Sequence, residues 1–232
     1  MLGARIEEWQ ASNGAISNAS STQVFAPRTP LRPERSVTTE WTAERDTGNG
    51  TLRATLFHER TADALYSQTN VSVTPNVTNI QNVDAVRTTG LELAAQMSDL
   101  GAKGFDLASS VTFADSKILK NDKFPASAGQ WQPRVPRWRA NLLATYTPDD
   151  VWSVSAGIRY SGKQFGTLDN SDPNGATYAG VSNYLLGDAR VQYRFTKQWK
   201  AAVGIDNLGN ATYWAFHPYP QRTFHAELAY DL

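Results

Sequence analysis

Apolar and polar residues alternate with a period of two along most of this chain, and helical spacing is scarce. In Asp188–Phe195 the apolar side chains Ala189, Val191, Tyr193 and Phe195 fall on one side; Asp188, Arg190, Gln192 and Arg194 fall on the other. The same alternation runs through Val37–Ala43, Leu52–Leu56, Leu91–Met97, Phe105–Phe113, Trp138–Tyr146, Trp152–Tyr160, Trp199–Ile205 and Phe224–Leu232, with a weaker stretch at Arg5–Gln10. The pattern predicts about ten strands separated by turn residues, and an all-β chain whose sheet is curled or closed as a barrel.

The predicted connections are of two kinds, and they alternate. Short ones lie at Asp46–Gly50, Ser98–Gly104, Thr147–Asp150 and Thr196–Gln198. Long polar ones lie at Ala11–Arg35, Thr61–Asn79, Asp115–Arg137, Ser161–Asn183 and Asn207–Gln221. In an antiparallel up-and-down meander alternate connections share an end, so short turns gather on one rim and long loops on the other. Greek-key sandwiches mix the ends, whereas outer-membrane barrels sort their loops in this way.

Alternation does not say which face points outward, and a soluble lipocalin-like barrel with an apolar interior alternates identically. Two features favour apolar residues outside. Aromatic residues bracket the apolar face of single strands: Phe105 and Phe113, Trp138 and Tyr146, Trp152 and Tyr160. Eight residues at ~3.3 Å, tilted by ~40°, rise roughly 20 Å, close to the ~25 Å apolar band of a membrane barrel. That face also carries Ala140, Ala144, Ala156, Ala189 and Ala201, small residues that suit lipid better than a densely packed core.

Composition narrows the function classes. The 22 Lys and Arg balance the 22 Asp and Glu, for a formal net charge of +0, which argues against a nucleic-acid partner. Aromatics make up 11% of the chain, with seven Trp among them, which argues against disorder. Without cysteine there is no disulfide framework, thiol nucleophile or cysteine zinc site. No apolar run approaches the ~18 residues of a spanning helix; strands remain as the means of crossing a membrane. Met1–Trp9 lacks the basic stretch, apolar core and cleavage site of a secretory signal; either the product is cytosolic or the chain starts inside something longer.

Short motifs then add a resemblance. Leu31-Arg32-Pro33-Glu34-Arg35-Ser36 opens a strand and is followed by Gly50–Phe57, Asn79–Val83, Thr89–Leu93 and Val135–Asn141. Gly157–Gly162, Gly204–Asn210 and the closing strand come next. In this order they resemble the carboxy-terminal part of a TonB-dependent outer-membrane receptor of the siderophore type, over about Leu31 to Leu232. The resemblance implies a partial transmembrane β-barrel of about ten strands, an antiparallel up-and-down meander in residues 36–232. The resemblance leaves residues 1–35 expected as a poorly defined N-terminal strand and loop. It further implies location in the bacterial outer membrane, if exported as part of a longer precursor. Its partners would be outer-membrane lipid, the barrel-assembly machinery and a ferric siderophore or other metal chelate, with TonB and a plug domain only in the full-length protein.

Departures accompany it. Family members carry a signal peptide, a TonB-engaging segment and a plug inside a barrel of about 22 strands. None of these is expected here. The chain is therefore read as a truncated or partial receptor, not transport-competent alone. Arg28-Thr29-Pro30 stands where an Asn-Pro pair is common, and the chain ends in Leu232 with Tyr230 as the nearest aromatic, where the family usually ends in an aromatic. A small self-contained porin-like or adhesin-like barrel and a soluble lipocalin-like binder stay open as alternatives.

Candidate chemistry is sparse. His58, His217 and His225 are the only histidines and no pair has ligand spacing, so neither a metal nor a cofactor is expected. Asp169–Gly175 superficially resembles a calcium loop, but Pro173 occupies a ligand position and the glycine falls one place late. No phosphate loop, nucleophile elbow or carboxylate pair marks an enzyme. Glu92, Arg159, Asp188, Arg190, Arg194, Glu227 and Asp231 are read as the polar lining of a wet interior. Ligand capture is expected from aromatic and basic residues of the long loops: Trp131, Arg134, Tyr178, Trp214, His217 and Tyr219.

Overall fold

The computed structural model describes residues 23–25, 31–70, 76–172, 174–178 and 180–231. The expected strand at Arg5–Gln10, the Arg28-Thr29-Pro30 stretch, Pro173 and Leu232 lie outside them. The strands are β1 (Gln23–Phe25), β2 (Arg35–Asp46), β3 (Gly50–Asn70), β4 (Asn76–Met97), β5 (Phe105–Lys120), β6 (Trp138–Tyr146), β7 (Trp152–Ser161), β8 (Tyr184–Arg194), β9 (Trp199–Asp206), β10 (Trp214–Ala215), β11 (His217–Pro218) and β12 (Thr223–Tyr230). Among the described residues a single 3-10 turn, Pro125–Ser127, interrupts the all-β pattern.

Nine strands form one antiparallel meander in the order β12-β9-β8-β7-β6-β5-β4-β3-β2. β1 departs from this rule, pairing in parallel with β4. The short turns after β2, β4, β6 and β8 share one rim, and the long loops occupy the other. Gly48, at a φ of 86°, supplies the left-handed residue of the first turn, and its N–H donates to Asp46 Oδ1 at 2.7 Å.

Two of the predicted loops are shorter than expected. Thr61–Asn79 is mostly strand: β3 runs to Asn70 and β4 begins at Asn76, with partners paired to Asn70↔Val77. Likewise β5 continues past Asp115 to Lys120. Asn, Thr, Ser and Asp read locally as turn residues, yet here each strand finds a neighbour along its whole length, and the ladder outweighs the local preference. As a result His58 lies mid-strand.

Register keeps one face apolar across the sheet. Trp41, Leu56, Leu91, Phe113 and Trp138 are opposite one another from β2 to β6. Val154, Val191, Val203 and Ala226 do the same from β7 to β12. A one-residue slip would turn each set to the other face. These side chains are not covered by a second layer: Trp41 is 64% exposed, Val203 61% and Phe224 71%. So much continuous apolar surface in water would be an aggregation or interaction site; facing acyl chains it is ordinary. Rings pair across strands at both borders of the band. Phe113 and Trp138 meet at 4.9 Å on the long-loop side. Trp152–Tyr193 at 4.6 Å and Trp199–Tyr230 at 4.9 Å lie on the short-turn side.

Above the band, on β3 to β5, the outward residues switch to His58, Thr89 and Asp115, then to Arg60, Arg87 and Lys117. The apolar segment thus ends near Leu56, Leu91 and Phe113, and the strands project a further stretch beyond it. The buried core sits in that projection. Ala64, Val83, Val86 and Ile118 from the strands pack with Leu168 of the loop after β7, flanked by Tyr66 and Phe124.

Candidate functional site on the long-loop rim

The concave face is polar, and its charges pair between strands, next to one another or, for Arg190 and Glu227, across the intervening β9. Arg159 donates twice to Asp188, at 2.9 and 3.1 Å, and Asp188 also accepts the Asn207 N–H at 2.9 Å. Arg190 meets Glu227 at 2.8 Å, Lys200 meets Asp231 at 3.1 Å and Arg53 meets Glu44 at 2.8 Å. The residues expected to line a wet interior therefore do so, and exposed pairs of this kind contribute at most about 1 kcal/mol each. Arg53, Asn141, Arg159, Asp188, Arg190 and His225 help line a cavity of about 780 Å³ on this face.

Three long loops fold together over the rim. Asn170 joins the loop after β7 to the loop after β5: its Oδ1 accepts the Trp131 N–H at 2.8 Å and its Nδ2 donates to the Trp131 carbonyl at 3.0 Å. The Arg134 N–H donates to the Phe165 carbonyl at 2.9 Å. The loop after β9 joins through a small ladder, in which Ser182 N–H donates to the Trp214 carbonyl and Phe216 N–H to the Gly180 carbonyl, each at 2.9 Å. Asp172 ties its own loop down. Burial pushes its carboxyl up, but the Gly166 N–H at 2.8 Å and the Thr167 hydroxyl at 2.8 Å outweigh it and hold the group below the usual carboxylate range.

The expected capture residues divide on this platform. Arg134, at a φ of 65°, lays its guanidinium over the Phe216 ring at 4.1 Å. Partial burial draws its pKa down, with nearby Tyr66 opposing. Burial pushes the Tyr66 phenol up to about 12, so it stays protonated. Tyr178 lies 5.1 Å from Trp214 and 6.2 Å from His217, both edge-on. Tyr219 stacks on Tyr213 at 4.9 Å, and Tyr213 contacts Tyr184 at 4.9 Å. Phe216, next in chain to His217, connects Arg134 with this aromatic group. Trp131 stands apart. It is bridged to Lys117, an outward residue of β5, and so lies on the outer side of the rim. Tyr66, Tyr184, Tyr213 and Phe216 were not expected. Tyr66 and Tyr184 sit on strand extensions, and nothing in their local sequence distinguishes them from wall residues. Among the described residues no group of three or more His, Cys, Asp or Glu is arranged to hold a metal ion.

Wall, belt and loops define an outer-membrane-type barrel wall, and comparison with known proteins gives the family. A family model described as TonB dependent receptor-like, beta-barrel matches residues 7–208. The chain belongs to that family, whose barrels are bacterial outer-membrane proteins. A probable TonB-dependent siderophore receptor, PiuA, from Acinetobacter baumannii is 26% identical over 204 residues, 84% of this chain and 26% of that protein. A probable TonB-dependent receptor, BfrD, from Bordetella pertussis is 26% identical over 219 residues, 88% of this chain and 28% of that protein. The chain thus spans about a quarter of the length of these curated relatives. Among solved structures, the ferric citrate transporter FecA superposes with a TM-score of 0.68 at 22% identity, covering 85% of this chain and 31% of that one. The copper transporter OprC superposes with a TM-score of 0.66 at 19% identity, covering 87% and 32%.

Proposed function

We propose that this chain forms the carboxy-terminal part of the barrel wall of a receptor that imports a ferric siderophore, and that its long loops supply part of the capture surface. The observation that carries the reading is the convergence of the loops after β5, β7 and β9 on one platform, presenting Arg134, Tyr178, Trp214, His217 and Tyr219. Arg134 forms no ion pair with any described residue, so its charge is open to an anion while Phe216 orients it. Planar aromatic faces beside a cation suit a flat, anionic iron chelate. The names of PiuA and FecA fit this chemistry, and the name of OprC keeps other metal cargo in view. The TonB partner and an enclosed plug belong to this proposal for the full-length protein, as does the barrel-assembly machinery.

Titration of the refolded chain in detergent micelles with ferric catecholate, hydroxamate and citrate chelates tests the proposal through quenching of tryptophan fluorescence. One class is expected to quench saturably, with the iron-free form much weaker. Arg134→Ala is expected to weaken that binding about 10- to 100-fold, the worth of a charge-assisted contact. Absence of saturable quenching by all three classes, or unchanged affinity in a folded Arg134→Ala variant, would refute it.

A further inference from the structure

Cross-strand register sets Arg60, Arg87 and Lys117 side by side on the outward face of β3, β4 and β5, just beyond the apolar belt. With strands ~4.8 Å apart, the three cations lie within about 10 Å. Trp131 extends the row: the Lys117 ammonium lies 4.6 Å from its ring and the Arg137 guanidinium 4.4 Å. On the other flank, Arg35 and Arg60 border an outward groove of about 560 Å³ that Val37, Ala62, Ala85 and Leu119 line.

Like charges directly opposite one another on neighbouring strands are destabilising, and beyond the Trp131 ring little among the described residues relieves these. Asp115 reaches Arg87 only at 3.8 Å. Arg87 Nε is buried without a hydrogen-bond partner. Arg60, Lys117 and Arg137 form no ion pair with any described residue. At the short-turn rim the outward face has a single described strand cation, Arg45. The charge is therefore asymmetric across the membrane and concentrated where headgroups meet the long-loop side.

We propose that this row binds the phosphate of a phosphomonoester-bearing membrane lipid, whose acyl chains lie along the apolar belt and the groove beside Val37 and Leu119. Several cations against one carboxylate favour a monoester, which carries more charge than a diester. The bound anion would remove the repulsion between Arg60, Arg87 and Lys117 and satisfy the Arg87 donor.

The test uses the full chain refolded in zwitterionic micelles, with dansyl-labelled phosphatidic acid as probe and energy transfer from tryptophan as readout. Lys117→Gln is expected to weaken binding about fivefold, and Arg60→Gln, Arg87→Gln and Lys117→Gln together about 100-fold; Arg45→Gln, on the opposite rim, should change it by less than about twofold. Labelled phosphatidylcholine should give no saturable transfer. Equal binding of phosphatidylcholine, a loss as large in Arg45→Gln, or full affinity in the triple variant overturns the proposal. So does displacement by millimolar inorganic phosphate, which would mark a site for a free anion. Should the triple variant not refold, Lys117→Gln alone decides between these outcomes.

Discussion

At the scale of single residues, the polar anchors of the loops matter more than their lengths. Asp172 accepts from Gly166, from the Thr167 backbone and from its hydroxyl, and so fixes the turn that carries Leu168 into the rim core. Because its folded-state pKa is depressed, its contribution is present above the unfolded value of ~3.9 and is lost as pH falls through the lower folded value. Asp172→Ala is expected to loosen this loop by about 1 kcal/mol for each bond removed. The loop should then be cleaved faster by protease at neutral pH, with the strands unaffected. Wild-type protein should show the same sensitivity only below about pH 4. Gly90 has a different role. A Cβ there would collide with the Phe57 ring and the Phe113 carbonyl, so the bare backbone is what lets Phe57 lie across the inner wall.

At the scale of elements, each strand from β5 to β9 presents one face to lipid and one to water. The prediction follows from register. Ala189 lies between Ala156 and Ile205 in the middle of the outward band, while Gln192 points to the concave side between Ser153 and Ala202. Ala189→Arg is expected to destabilise the chain in a phospholipid bilayer by about 2–4 kcal/mol, and Gln192→Arg by well under half of that, in urea titrations followed by tryptophan emission. These elements were legible in the sequence because alternation with aromatic ends is a local signal; β6 occupies the predicted Trp138–Tyr146 without adjustment. The extension of β3 to Asn70 and of β4 back to Asn76 was not. Its side chains are those of a loop, and only pairing with a distant neighbour makes it strand. Of the site, the loop positions of Arg134, Tyr178, Trp214, His217 and Tyr219 were legible. Phe216 beneath Arg134 and the outward seat of Trp131 depend on contacts between separate loops, which spacing does not encode.

At the scale of the whole molecule, the sheet has no second layer over its apolar face, and its strand order ends at β2 and β12, which are not paired with each other among the described residues. A wall of this kind has its greasy surface satisfied by lipid and its backbone satisfied by neighbouring strands, so each backbone group left open in hydrocarbon would cost several kcal/mol. Loops, belt and concave charges all depend on that one orientation. Two single-tryptophan proteins test it in micelles containing brominated acyl chains: one keeps only Trp152, on the outward face, and the other carries only Ser155→Trp, on the concave face. Trp152 is expected to be quenched by bromine and shielded from aqueous acrylamide, and the tryptophan at position 155 to show the reverse. Bromine quenching at position 155 with Trp152 open to acrylamide would contradict the orientation, and with it the membrane-barrel account.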